Sequence, residues 1–182
     1  LNGIGMEVII TMLEDTRLTE LCTPVVFASS KLASYHRNAI DKRNFQFRLC
    51  DTIGDIKEGA NNLVLSWDDN VEITLGLPTD VSGAYALKSI DAAIDAAKNG
   101  KIHALLTAPI NKHNIAASVE GFSGHTGYLA KEFSNDVLMI LASDVLKVAT
   151  VTGHVPISKV AEGITEASIN KAIVLLAQSL KR

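Results

Sequence analysis

The 182-residue chain is 47% hydrophobic and 20% charged, a globular composition with enough length to bury a sizeable core. Its net charge of −3 and its scattered lysines and arginines exclude the basic face with which proteins bind nucleic acid. The apolar runs have the length of strands, so no membrane-spanning segment is expected. Cys22 and Cys50 form neither a disulfide framework nor a CxxC metal motif, which favours reduced thiols in a cytoplasmic protein.

Both ends of the chain favour an interpretation as part of a longer protein. Leu1 replaces an initiator methionine, and the residues after it lack the pattern of a signal peptide. The last predicted helix runs to Arg182 with no tail. Near the amino end, Asn2-Gly3-Ile4-Gly5 precedes an apolar run. Its glycines would let the backbone approach a ligand at a helix start, where free N–H groups favour anions, but glycines at such a place more often form only an ordinary turn.

Strand-like and helix-like segments then alternate along the chain. Short apolar runs predict buried strands at 24–28, 102–106, 137–141 and 145–151. Helical periodicity predicts helices at 30–40, 84–98 and 165–181, with Asn99-Gly100 as a stop and Thr165 as an N-cap. Residues 62–75 read as two β segments around a turn, an antiparallel excursion. This alternation predicts an α/β fold with a mostly parallel sheet.

Two loops carry groups suited to an anionic, hydroxylated ligand. The segment 106–112 follows a predicted strand and ends in Lys112, which could meet a phosphate or carboxylate or be an ordinary surface lysine. The segment 121–127 presents His125 and Thr126 at a helix start, where Thr126 could instead be only an N-cap.

A third loop, Val151-Thr152-Gly153-His154-Val155-Pro156, ends another predicted strand. Neutral imidazole is the commonest metal ligand, but catalytic zinc typically takes three protein ligands. The other histidines show no metal-binding spacing, so spacing alone favours a structural role for His154.

Taken in order, these segments resemble the 4-hydroxythreonine-4-phosphate dehydrogenase family. The matching stretches lie between Asn2 and Thr165, and they are NGIGMEVI, TPVVFASSKLASYHR, LLTAPINKHNI, FSGHTGYLA and VATVTGHVPISKVAEGIT. The resemblance implies a three-layer α/β/α fold like that of isocitrate and isopropylmalate dehydrogenases, with two lobes around a cleft. Residues 1–182 would cover the first half of such an enzyme, with a lobe boundary expected near 80–110.

The resemblance also implies a function. This is NAD-dependent oxidation of 4-phosphooxy-L-threonine, a small phosphorylated hydroxy amino acid, followed by decarboxylation to 3-amino-2-oxopropyl phosphate in vitamin B6 biosynthesis. It implies that His125 and Thr126 bind substrate, with Lys112 lining the same crevice. His154 matches the first of three histidines that hold one divalent metal ion, zinc, magnesium or cobalt. The catalytic residues and the nicotinamide site stay unassigned. A homodimer that completes the active site across subunits is expected.

The chain departs from the family pattern at three places. It starts after the strand and the aspartate that usually precede NGIG, and it has Met6 where proline is usual. Gly127 replaces the usual glutamate after Gly-His-Thr, which removes a carboxylate that would complement the helix dipole. Two alternatives therefore remain: the same chemistry on phosphorylated threonate or erythronate, and a truncated, non-catalytic binding or dimerisation module.

Overall fold

The computed structural model describes residues 1–68, 70–119, 121–122, 124–133 and 136–181. The chain divides into two compact units, Leu1–Phe133 and Ser134–Arg182. The first unit contains α1 (Gly5–Leu13), α2 (Arg17–Leu21), β1 (Val25–Ala28), α3 (Ser30–Ala39), β2 (Arg48–Cys50), a 3-10 turn (Ile53–Asp55), β3 (Asn62–Leu65), α4 (Asp80–Lys98), α5 (Lys112–Ala116) and α6 (His125–Phe133). The second contains β4 (Met139–Ala142), β5 (Lys147–Thr150), α7 (Ile157–Gly163) and α8 (Glu166–Ser179).

The first unit is built on a three-stranded parallel sheet with the order β1-β3-β2. Asn62 in β3 is level with Val25 in β1 and with Arg48 in β2, and Leu63 is completely buried. The Asn62 side chain is also buried, and it holds the preceding loop by accepting from Lys57 N at 2.9 Å and donating to Ala60 O at 2.8 Å. The predictions of an α/β fold, of a strand at 24–28 and of a helix at 30–40 are confirmed.

The prediction of an antiparallel pair at 62–75 is wrong. Its first half is the central parallel strand, because Leu63 and Val64 are apolar and buried. Its second half is not a strand, since its backbone forms hydrogen bonds with groups that do not belong to a sheet. Thr74 N donates to Asn2 Oδ1 at 3.0 Å, Gly76 N donates to Asn2 O at 2.8 Å, and Lys31 Nζ donates to Val71 O at 2.7 Å.

The prediction of a buried strand at 102–106 is also wrong. These residues are all described and adopt no strand, and Leu106 is 80% exposed. The segment instead borders a cavity whose other walls include β1 and α1. An apolar run buries both faces only when a neighbouring strand and flanking layers accept it.

The core of the first unit lies between the sheet and helices α1 and α3. Apolar side chains from these elements form one buried cluster: Met6, Ile10, Leu13, Ala28, Leu32, Ala33, Phe45 and Leu63. Ser29 begins α3 as its N-cap, because its hydroxyl accepts from Leu32 N at 3.2 Å. Completely buried His36 lies between α3 and α1, with Nε2 at 2.6 Å from Leu1 O and Nδ1 at 3.6 Å from Glu7 Oε1.

Helix α4 contains the predicted helix at 84–98 and begins earlier, at a Thr79 N-cap whose hydroxyl accepts from Ser82 N at 3.1 Å. It ends at Asn99-Gly100, as predicted, because Gly100 adopts a left-handed φ of 65° that favours glycine. The helix packs against β1, α5 and α6. It therefore connects the sheet to the two short helices that follow it.

The second unit joins a hairpin to two helices. Strands β4 and β5 confirm the strands predicted at 137–141 and 145–151, but they pair antiparallel, with Met139 opposite Thr150. The connection between Ala142 and Lys147 is too short for the crossover that a parallel pair would need. Thr165 caps α8, as predicted, by accepting from Ser168 N at 3.1 Å. No helix in the described part of the chain is long and apolar enough to cross a bilayer.

Candidate functional site

Lys112 is the first residue of α5, and its position is set by the cap of that helix. The Asn111 side chain accepts hydrogen bonds from His113 N at 3.0 Å and Asn114 N at 3.3 Å. The Asn114 side chain in turn donates to Ser82 Oγ in α4 at 3.1 Å. The start of α5 is thus fixed both locally and against α4.

Gly124 brings the Lys112 side chain to the start of α6. Gly124 is buried and has a φ of +116°, which L side chains rarely adopt. A β-carbon at this position would lie 3.2 Å from Lys112 Cε and 3.5 Å from Lys112 Nζ. Because Gly124 has no side chain, the Lys112 side chain can lie close to the backbone at the start of α6. The two loops predicted to share a crevice are neighbours.

His125 opens α6 and faces this lysine. Its Nε2 is buried and finds no hydrogen-bond partner among the described residues. Burial lowers the pKa of His125, and the positive charge of Lys112 lowers this pKa further. Both effects favour the neutral imidazole near pH 7, in which one nitrogen donates and the other accepts. Among the described residues, the buried Nε2 thus keeps an unused hydrogen-bonding capacity.

Thr126 is the second residue of α6 and is exposed. It is not the N-cap of this helix, because α6 already begins at His125 and Tyr128 N donates to Gly124 O at 3.1 Å. Its hydroxyl lies in the first turn, where backbone N–H groups lack partners within the helix. The capping alternative for Thr126 is thereby excluded, and its role in binding substrate stays a prediction.

The glycine-rich amino end reaches the same region. Gly5 begins α1, and a β-carbon there would lie 3.4 Å from Ala108 Cβ and 3.6 Å from Pro109 O. The start of α1 thus packs against the loop that leads to Lys112. A cavity of about 1660 Å³ opens beside it, and Gly5, Ala108, Asn111 and His125 are among its lining residues. Two of the three predicted ligand loops therefore meet the glycine motif at one cavity within the first unit.

His154 belongs to the second unit and follows β5. It is exposed and has a left-handed φ of 57°. The end of α7 supports its loop, since a β-carbon at Gly163 would lie 2.7 Å from Thr152 Cγ2. Within the described ranges, no three His, Cys, Asp or Glu side chains gather as a metal site would require. His154 is therefore part of no such group, and its role as a metal ligand stays a prediction.

Two features of the site were missed by sequence reasoning. Gly83 lets α5 approach α4, and Tyr128 bonds α6 to α4 through Asp91. The helical periodicity of 84–98 indicated a buried face on α4, but it could not show which helices cover that face. A glycine within a helix is an unfavourable choice unless close packing needs it, and this was the available indication at Gly83.

Comparison with known proteins shows the family. The model of the pyridoxal phosphate biosynthetic protein PdxA matches residues 20–182. The 4-hydroxythreonine-4-phosphate dehydrogenase of Bacteroides thetaiotaomicron is 35% identical across 100% of this chain, and that of Desulforapulum autotrophicum is 31% identical across 98%. The chain spans 50% and 54% of these two relatives.

Solved structures share the fold. A 4-hydroxythreonine-4-phosphate dehydrogenase from Burkholderia phymatum superposes with a TM-score of 0.80 at 24% identity, covering 94% of this chain and 52% of its own. The enzyme from Klebsiella pneumoniae superposes with a TM-score of 0.72 at 22% identity, covering 86% and 49%. The chain belongs to the PdxA family of pyridoxal phosphate biosynthetic proteins, and it spans about half the length of these relatives.

Proposed function

We propose that this chain is the substrate-binding half of an NAD-dependent 4-hydroxythreonine-4-phosphate dehydrogenase acting in vitamin B6 biosynthesis. The observation that carries the proposal is the meeting of Lys112 with the start of α6, where His125 lines the cavity and its buried Nε2 has no hydrogen-bond partner among the described residues. The names of the relatives in the same family support the reaction class.

The chain's own residues suit a phosphorylated hydroxy acid. Lys112 supplies a positive point charge, and the first turn of α6 supplies backbone N–H groups for an anionic oxygen of the phosphate or carboxylate. A neutral His125 can hydrogen-bond a substrate hydroxyl without adding charge. Thr126 adds a hydroxyl donor at the same helix start. Binding the anionic end away from the reacting carbon orients the alcohol for oxidation.

We keep the proposal of one divalent metal ion and NAD in the complete enzyme. Such an ion would lower the pKa of the substrate alcohol, and NAD would accept the hydride. His154 would be one metal ligand, and the family resemblance implies two further histidines from the family's second half. Oxidation yields a 3-keto acid, which loses CO2 to give 3-amino-2-oxopropyl phosphate. A homodimer in the cytoplasm, with a lobe boundary near 80–110, belongs to the same proposal.

Two alternatives have specific tests. Phosphorylated threonate and erythronate carry a hydroxyl where the leading substrate carries an amine, and Gly127 in place of the family's usual glutamate leaves the choice between them open. A non-catalytic binding or dimerisation module would show no NADH formation with any of these compounds. Sedimentation of the natural gene product tests the dimer separately, and a stable monomer would contradict it.

The decisive assay measures NADH formation by the natural gene product with each of the three four-carbon phosphates and a divalent metal ion. His125→Ala should lower kcat/KM by about 100-fold, as expected for losing an aligned hydrogen-bonding group at an active site. His113→Ala is the matched control, because His113 is an exposed imidazole on the neighbouring α5. Unchanged kinetics in His125→Ala would remove His125 from the site.

A further inference from the structure

Helix α6 is tied to α4 by a hydrogen bond one turn beyond His125. The Tyr128 hydroxyl donates to Asp91 Oδ1 at 2.6 Å. Burial raises the pKa of Tyr128, and the hydrogen bond to Asp91 raises it further. The hydroxyl therefore stays protonated and keeps donating throughout the neutral range. A hydrogen bond to a charged acceptor is among the stronger ones that proteins form.

A second polar contact between the two helices is weaker. Lys98 Nζ lies 2.9 Å from Glu132 Oε2, but both side chains are more than 30% exposed. Exposed ion pairs of this kind contribute little to stability. The Tyr128 ring also packs against Phe122, with a 5.7 Å distance between ring centroids. The hydroxyl of Tyr128 is thus the best placed polar group to fix the amino end of α6 on α4.

Helix α4 also holds α5, the helix that begins with Lys112. Gly83 allows the α5 backbone to approach so closely that a β-carbon would lie 2.0 Å from Asn114 O. Ser82 accepts a hydrogen bond from Asn114 Nδ2 at 3.1 Å. Lys112 at the start of α5 and His125 at the start of α6 are therefore both positioned from one helix. The separation between these two groups depends on how firmly each short helix is held.

We propose that the Tyr128–Asp91 hydrogen bond is a positioning contact that holds the half-buried His125 imidazole beside Lys112. The proposal rests on the function proposed above, because only there does the separation of these groups matter for the reaction. Without the hydroxyl, α6 would keep its apolar packing but lose its directional contact to α4. His125 would then become more hydrated and move away from the ammonium of Lys112.

The test is a titration of the histidine ring signals by NMR in the natural gene product and in Tyr128→Phe. Burial and Lys112 both hold the pKa of His125 below its ordinary value, so a loosened α6 should let this pKa rise. Asp91→Asn keeps an oxygen acceptor and should preserve most of the wild-type behaviour. Asp91→Ala removes the same bond from the other side, and it serves as a second variant if Tyr128→Phe does not fold.

Ser29→Ala is the matched control. It also removes one side-chain hydrogen bond from the first unit, but it does so at the N-cap of α3. The proposal requires the pKa of His125 to rise in Tyr128→Phe and to stay unchanged in Ser29→Ala. An unchanged pKa in Tyr128→Phe, or an equal rise in both variants, would overturn it.

Kinetics separate this proposal from the function on which it rests. If both hold, Tyr128→Phe should lower kcat/KM by about tenfold, less than His125→Ala does, because misplacing a group costs less than deleting it. If His125→Ala leaves the kinetics unchanged while the pKa of His125 still rises in Tyr128→Phe, the positioning contact is real but the proposed function is wrong. If His125→Ala lowers kcat/KM but the pKa of His125 does not change in Tyr128→Phe, the proposed function stands and the positioning contact is wrong.

Discussion

Gly83→Ala is the sharpest test of how this site is assembled. A β-carbon at Gly83 would lie 2.0 Å from Asn114 O, 2.2 Å from Asn114 C and 2.7 Å from Ile115 N. These atoms are backbone, so no rotamer change can relieve the overlap, and α5 must move away from α4. Overpacking typically costs about 1–3 kcal/mol, and a backbone clash favours the upper end of that range.

Alanine also has a higher helix propensity than glycine, which offsets part of the energetic cost of the overlap. Alanine is favoured over glycine in a helix by about 1 kcal/mol, so the expected net loss of unfolding free energy is about 2 kcal/mol. For a chain of this size such a loss lowers the midpoint of thermal unfolding by roughly 4–8 °C. Since Lys112 begins the displaced helix, kcat/KM should fall as well.

The assay is urea unfolding followed by Trp67 fluorescence. This is the single tryptophan of the chain, and its ring nitrogen donates to Ser89 Oγ on α4 at 3.0 Å, so it reports on the helix under test. Gly3→Ala is the control, because a β-carbon there meets no atom within 4 Å. Gly83→Ala unfolding at the same or a higher urea concentration than the wild type would refute the reasoning, because helix propensity alone predicts that result.

Three further predictions concern pH, backbone conformation and metal binding. The pKa of His125 is lowered in the folded chain, so just below the ordinary pKa of histidine the unfolded chain binds more protons than the folded one. The free energy of unfolding should therefore fall as the pH drops below about 6.5. Urea unfolding measured across this pH range should show that His125→Asn loses this part of the pH dependence. Gly124→Ala should destabilise the first unit by about 1–2 kcal/mol, because alanine tolerates the left-handed φ poorly. The added β-carbon should also displace Lys112 and so lower kcat/KM. Equal unfolding midpoints for Gly124→Ala and the wild type would contradict this. His154→Ala in the natural gene product should abolish metal-dependent NADH formation. Calorimetry on residues 1–182 should show no tight zinc or magnesium site. A tight, stoichiometric site there would mean that other residues of the chain complete a metal site.

Much of the fold followed from local patterns in the sequence. The apolar run at 24–28, the helical periodicity at 84–98 and the cap at Thr165 each depend on neighbours in sequence, and the structure confirms each. Strand pairing depends on residues that are distant in sequence. For that reason the partners of 62–65 were misassigned, and 102–106 was predicted to be a strand although the structure provides it with no pairing.

The candidate site was predictable to a similar degree. Histidine, lysine and threonine beside glycines indicated where anion-binding groups lie, and the expectation that Lys112 and His125 are close agrees with the geometry. The reasoning behind that expectation was incomplete, because the residues before Lys112 do not form a strand. Helix α4 brings the two loops together instead, through Gly83 and Asp91. Neither residue belongs to a recognisable motif, so their importance became visible only in three dimensions.

Each unit contains a non-glycine residue with a left-handed φ, Asp41 in the first and His154 in the second. In the first unit the left-handed φ beside His125 falls on Gly124, which adopts it at little cost. In the second unit the left-handed φ falls on His154 itself, although Gly153 is adjacent and could have taken it. A non-glycine residue held there costs about 1–2 kcal/mol, and such outliers concentrate at functional sites. Because exposed Asp41 adopts the same conformation away from the candidate site, the strain at His154 supports the proposed metal-binding role only together with the family resemblance, and the His154→Ala assay decides it.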